Sequence, residues 1–134
     1  MNEQSHPIRS ISAVTLLTAD MRTAVAFYRD VGFEILHGGA DAAFTSFRVG
    51  TGFLNLQQTN EDPPLRRIWG RIVFWVEDVD ETYERVVGAG YEPQAQPTDA
   101  SWGERYFHVR DPDGHELSFA RPLPDDPPTV PQSP

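Results

Sequence analysis

The stretch Trp102-Gly103-Glu104-Arg105-Tyr106-Phe107-His108-Val109-Arg110-Asp111-Pro112-Asp113-Gly114-His115-Glu116-Leu117-Ser118-Phe119-Ala120 decides the fold. Its centre, Asp111-Pro112-Asp113-Gly114, reads as a type I turn. Pro112 sits where φ of about −65° is wanted, and Gly114 where φ must become positive. Strand-forming residues on both sides make the stretch a β-hairpin. If the turn closes directly, Arg110 meets His115 and each face mixes polar with apolar side chains. If Gly114 forms a bulge instead, Asp111 opposes His115, Val109 opposes Leu117 and Phe107 opposes Phe119. One face is then wholly apolar, and the other carries Tyr106, His108, Arg110, Glu116, Ser118 and Ala120. A one-residue slip exchanges the faces, so burial selects the bulged register. The apolar face is expected to be core and the polar, aromatic face a ligand surface.

Upstream of the hairpin, Pro93 to Ser101 reads as a loop. Ile72 to Val76 reads as a strand. Asp78 then caps a helix over about Val79–Gly88, with Val79, Tyr83 and either Val86 or Val87 on one face. Thr59 to Arg67, with adjacent Pro63 and Pro64, is a linker. Before it, Ile11–Thr18 is a strand, and Asp20 caps a helix over Met21–Val31 whose Met21, Val25, Tyr28 and Val31 share a face. Gly32 stops that helix, and strands follow from Phe33 and over 43–49 and 52–57. A shift of 58 positions lays Asp20 on Asp78, Met21 on Val79, Gly32 on Gly90, Phe33 on Tyr91 and Glu34 on Glu92. The matches fall at cap, stop and strand entry, which marks an internal duplication of a β-α-β-β-β module. The expected division is a flexible N-terminus over 1–10, a first module over 11–58, a linker over 59–69 and a second module over 70–122. In 123–134 a Pro-rich tail is expected to be disordered, since six of the thirteen residues from Pro122 onward are proline.

The chain has 134 residues, enough for one domain or two small repeats around a real core. No apolar run approaches the ~18 residues of a membrane span, and Met1–Ser10 has no signal-peptide pattern. With no cysteine there is no disulfide framework, which suits a cytoplasmic protein. A net charge of −9 and a pI near 4.7 argue against nucleic acid as a partner and suit a cationic small ligand. Solubility alone is the simpler explanation of that charge.

Two tandem β-α-β-β-β modules with Asp-Pro-Asp-Gly near the end of the second resemble the vicinal-oxygen-chelate superfamily. That family includes glyoxalase I, extradiol dioxygenases and fosfomycin- and bleomycin-resistance proteins. The resemblance rests on Phe27-Tyr28-Arg29-Asp30-Val31-Gly32-Phe33 and on Arg105 through Gly114, and spans about Ile11 to Pro122. It implies an α+β fold whose curled mixed sheets enclose a cup, often shared between the subunits of a homodimer. In the enzymes of the family a divalent metal sits in that cup. The ligand positions implied by the resemblance fall on Ala13, Arg71, Ser118 and, within one residue, Asn55. Methyl, guanidinium, hydroxyl and amide stand there in place of imidazole and carboxylate. A permanent cation such as Arg71 has no lone pair to give and repels a divalent ion. No metal and no other cofactor is therefore expected. Trp102-Gly103 shortly before Arg-Asp-Pro also resembles the metal-free bleomycin-resistance proteins.

The residues expected to bind a ligand are Trp75, Trp102, Tyr106, His108, Phe53, Asn55, Arg71 and Ser118. Flat rings beside a few polar groups suit a planar, partly apolar molecule held by stacking, although each ring could equally be buried at a module interface. His115, on the turn, reads as solvated. The leading expectation is a protein that sequesters an aromatic, cationic antibiotic or natural product without converting it. Alternatives are a metal-free isomerase, epimerase or lyase using His108 and Glu116, a divergent metal-dependent lyase or dioxygenase, and a protein whose cup serves only for pairing with another chain.

Overall fold

The computed structural model describes Pro7 and residues 10–64 and 69–124. Its elements are β1 Ala13–Thr18, α1 Met21–Val31, β2 Glu34–His37, β3 Phe44–Val49, β4 Gly52–Gln58, β5 Arg71–Trp75, α2 Val79–Gly88, β6 Thr98–Asp99, β7 Glu104–Arg110 and β8 Glu116–Pro122. They form two four-stranded sheets, ordered β1-β4-β3-β2 and β5-β8-β7-β6. In each sheet the first strand runs parallel to the last, and the remaining pairs are antiparallel. One connectivity thus occurs twice, as the duplication predicts, and the fold is α+β with two tandem modules. Most of the N-terminal stretch over 1–10 and tail positions 125–134 lie outside the described residues, as do positions 65–68 of the linker.

The helices begin and end where local chemistry puts them. Asp20 Oδ1 accepts the Thr23 N–H at 3.2 Å, and Asp78 Oδ1 accepts the Glu81 N–H at 3.1 Å. Gly32 takes φ 124°, and its N–H returns to the carbonyls of Tyr28 and Arg29. α1 buries Met21, Ala24, Val25, Phe27, Tyr28 and Val31. α2 buries Val79 and Val86 and leaves Val87 at the surface.

α1 packs on the apolar face of the first sheet and α2 on that of the second, and helices and sheets share a single core cluster. Leu16, Phe47, Leu54 and Leu56 come from the first sheet, and Phe74, Phe107, Val109, Leu117 and Phe119 from the second. Phe33 stands at the seam. Its ring meets Tyr28 at 5.2 Å and Phe47 at 6.0 Å on one side, and Phe74 at 5.1 Å and Phe119 at 6.3 Å on the other.

The β7–β8 hairpin adopts the bulged register. Val109 faces Leu117 and Phe107 faces Phe119, all four at most 1% exposed. The Gly114 N–H bonds the Asp111 carbonyl at 3.0 Å, the Asp111 N–H bonds the His115 carbonyl at 2.9 Å, and Gly114 has φ 93°. Gly114→Val would put a β-branched residue at positive φ and is expected to lower stability by about 1–3 kcal/mol in denaturant unfolding. A neutral effect would contradict the bulge.

Two local expectations fail. The duplication places a strand entry at Tyr91-Glu92, yet the second strand of this module is only β6, inside the stretch that reads as a loop. Pro93 and Pro97 lack donors, and between them the Gln94 N–H reaches the β7 ladder at His108 O, 2.9 Å. Tyr91 packs edge-on against Phe27 at 4.8 Å instead.

His115, expected in solvent, is 4% exposed. Its Nδ1 accepts the Trp69 indole N–H at 3.2 Å, so Nε2 carries the proton and donates to the Leu17 carbonyl at 2.8 Å. Asp111 is buried with it. Its Oδ2 accepts the Tyr28 hydroxyl at 2.7 Å, and its Oδ1 accepts the backbone N–H groups of Asp113 and His115, both at 2.9 Å. Asp113 Oδ1 accepts the Ala19 N–H at 2.9 Å. The Asp-Pro-Asp-Gly-His turn is therefore a clamp that ties the second module to the end of β1 and to α1. Burial, then the neighbouring Asp111 carboxylate, holds the Tyr28 phenol well above its ordinary pKa.

Candidate functional site

Strand alternation gives each sheet a second face, opposite the shared core. On the first sheet that face has the rows Ala13–Phe53–Arg48, Thr15–Asn55–Ser46 and Leu17–Gln57–Phe44. On the second it has Arg71–Glu116–Arg110, Val73–Ser118–His108 and Trp75–Ala120–Tyr106. The structure thus gathers Arg71, Trp75, Tyr106, His108 and Ser118 on one surface, with Trp102 in the turn that enters β7. Phe53 and Asn55 lie on the other sheet. There Asn55 bonds Thr15 and Ser46, and the Arg48 guanidinium stands 5.9 Å from the Phe53 ring centre. No hydrogen bond, ion pair or ring contact among the described residues joins these two to the second-sheet group.

The second-sheet face has an aromatic part and a polar part. Trp102 and Tyr106 stack at 5.7 Å with planes 29° apart, and Tyr106 meets the His108 ring at 5.0 Å. The Trp102 indole N–H donates to Glu104 Oε1 at 2.8 Å, which fixes the ring. The hairpin that presents it is braced by Arg105, which bonds both Asp80 oxygens and Asp99. Trp75, in the Tyr106 row, is 49% exposed.

In the polar part, Arg71 Nε donates to Glu116 Oε1 at 2.6 Å and Nη2 pairs with the same oxygen, while Gln94 Nε2 donates to Oε2 at 3.2 Å. Burial pushes the Glu116 pKa up, but the hydrogen bonds from Gln94 and Arg71 outweigh it and hold the carboxyl below its ordinary range. His108 lies next to this pair. Burial, then the Arg71 charge, lowers its pKa from the ordinary imidazole value against the pull of Glu116, which favours the neutral ring. Neither of its ring nitrogens has a hydrogen-bond partner among the described residues.

Two residues that the sequence does not single out matter here. Glu104 shares the alternation of Tyr106 and His108, so its face was readable although its bond to Trp102 was not. Gln94 sits between two prolines, where no periodicity marks it.

The donor set does not fit a divalent metal. At the four positions implied by the family resemblance stand Ala13, Asn55, Arg71 and Ser118, and Asn55 is bound within its own sheet while Arg71 is locked to Glu116. Among the described residues no group of three or more His, Cys, Asp or Glu could hold a metal ion. Glu116 is also a poor general base, with both oxygens engaged and its pKa lowered. No helix among the described residues is long and apolar enough to cross a membrane.

No curated protein is similar to the chain in sequence. Among solved structures, TioX from Micromonospora sp. ML1 is 30% identical with a TM-score of 0.69, over 86% of this chain and 100% of that one. Lactoylglutathione lyase from Agrobacterium tumefaciens is 24% identical with a TM-score of 0.67, over 86% and 95%. A bleomycin resistance determinant encoded on the transposon Tn5 is 22% identical with a TM-score of 0.67, over 85% and 98%. The last two show a shared fold. The family model described as the Glyoxalase/Bleomycin resistance protein/Dioxygenase superfamily matches residues 10–119, and with both sheets repeating one β-α-β-β-β connectivity the chain belongs to that superfamily.

Proposed function

We propose that the protein binds a planar aromatic antibiotic or natural product without a metal and without converting it, so that resistance comes from sequestration. The observation that carries this reading is the Trp102–Tyr106–His108 ladder, which lies beside Arg71, a guanidinium paired with Glu116 at a position where the enzymes of the family place a metal ligand. Stacked, braced rings offer area at little entropic cost and tolerate many ligands. The likeness in fold to a bleomycin resistance determinant supports the same direction. The enzymatic alternative through His108 and Glu116 has less support, because Glu116 is tied up on both oxygens.

The working form in this reading is a cytoplasmic homodimer with shared cups. Each second face has its own chain's core behind it and supplies one wall. Leu17 and Phe44 lie 39% and 40% exposed on the first-sheet wall, where a second copy would cover them. Sedimentation of a stable monomer at micromolar concentration would contradict this arrangement.

Tyr106→Ala and Trp102→Ala are each expected to weaken ligand binding by about 0.5–1.5 kcal/mol beyond the lost area, and Trp75→Ala to do the same. Their melting temperatures should stay near that of the parent. Calorimetric titration checks this, and unchanged affinity in all three variants would remove the ladder from the site.

A further inference from the structure

The row Arg71–Glu116–Arg110 sets the charge that a bound molecule meets. Glu116 has both oxygens engaged, one by Arg71 and one by Gln94, and its side chain is 8% exposed. The Arg71 side chain is 21% exposed, so the cation is the outward member of the pair. Arg71 uses Nε and Nη2 on Glu116, and its Nη1 makes no hydrogen bond or ion pair among the described residues. Arg110, at the other end of the row, is exposed and adds a second guanidinium on the same face. One row along, Ser118 faces His108, whose nitrogens have no hydrogen-bond partner among the described residues. A chain of net charge −9 thus places two guanidinium groups around one covered carboxylate, next to its aromatic ladder.

We infer that the ligand carries an anionic oxygen, a carboxylate or phenolate, which meets the free edge of Arg71 while its ring lies against His108 and Tyr106. This deepens the sequestration reading and rests on it. A charge-assisted N–H···O⁻ bond is about twice as strong as a neutral one, and guanidinium suits a flat oxyanion better than a point cation does. Successive rows on a strand lie about 7 Å apart, a distance that a fused bicyclic ring bearing a carboxylate spans. Exposed Arg110 is more screened and acts on approach rather than as an anchor.

Three probes with one ring and different charge test the inference on the full chain: 2-naphthoate, 2-naphthamide and 2-naphthylmethylammonium, titrated calorimetrically at neutral pH. The naphthoate is expected to bind about tenfold more tightly than the amide, and the ammonium most weakly. In the double variant Arg71→Gln/Glu116→Gln, which keeps a neutral pair, naphthoate and amide should bind alike. Saturable binding with the amide or the ammonium tightest would overturn the inference and leave the aromatic site standing. No saturable binding by any probe would overturn the aromatic site, and the inference with it. The ranking on the unaltered chain decides the question even if the double variant fails to fold.

Discussion

Asp111→Ala is expected to lower stability by about 3–5 kcal/mol, measured as a shift of the denaturant midpoint at unchanged slope. Asp111 is 4% exposed and accepts three hydrogen bonds, from the Tyr28 hydroxyl and from the backbone N–H groups of Asp113 and His115. Alanine leaves the Tyr28 hydroxyl and the His115 N–H buried, and the Asp113 N–H part-buried, without this acceptor, and each buried donor so left costs about 1–3 kcal/mol. Asp111→Asn separates acceptor geometry from charge. The amide oxygen can still take the two backbone donors, and its NH2 can donate to the Tyr28 oxygen. Burial already raises the Asp111 pKa, so losing the charge relieves part of a penalty. The asparagine variant should therefore lose less than half as much. Equal losses in the two variants would show that the charge, not the acceptors, holds the clamp.

Phe33→Ala is expected to cost about 3 kcal/mol, the lower end of the range for removing a core phenylalanine, because Phe33 keeps some exposure. Its ring touches Tyr28 and Phe47 of the first module and Phe74 and Phe119 of the second. Removing it opens a cavity between the modules rather than within one. The parent chain, with one shared core, should unfold in a single transition by fluorescence and circular dichroism. The variant should unfold earlier, with those two probes no longer coincident. A loss under 1 kcal/mol with coincident transitions would mean that the modules do not depend on this seam.

What could be read in the sequence was local or periodic. Asp20, Asp78 and Gly32 mark helix ends because capping acts within a few residues. The β7–β8 register was legible because the directly closed turn would have set Phe107 against Ser118 and His108 against Leu117, mixing polar with apolar side chains on both faces. The same alternation placed Arg71, Trp75 and Ser118 on the candidate face. Long-range partners left no such trace. Asp111 and His115 belong to a turn motif that commonly lies in solvent, and their burial depends on Tyr28 and Leu17, 83 and 98 positions away. The Arg71–Glu116 pair follows only once β5 lies beside β8, a crossover that brings together residues 45 positions apart. Net charge alone does not place a ligand, for a related reason. It counts every residue equally, whereas a ligand meets the few that line one face.

The proposed site is aromatic, needs no metal and leaves its ligand unchanged. Its most direct test is a titration of aromatic antibiotics into the chelator-treated protein, followed by tryptophan fluorescence and by the mass of the recovered ligand. Saturable quenching with an unaltered mass is the expected result. Binding that disappears with the chelator, a converted product, or no saturable binding across the panel would contradict the account.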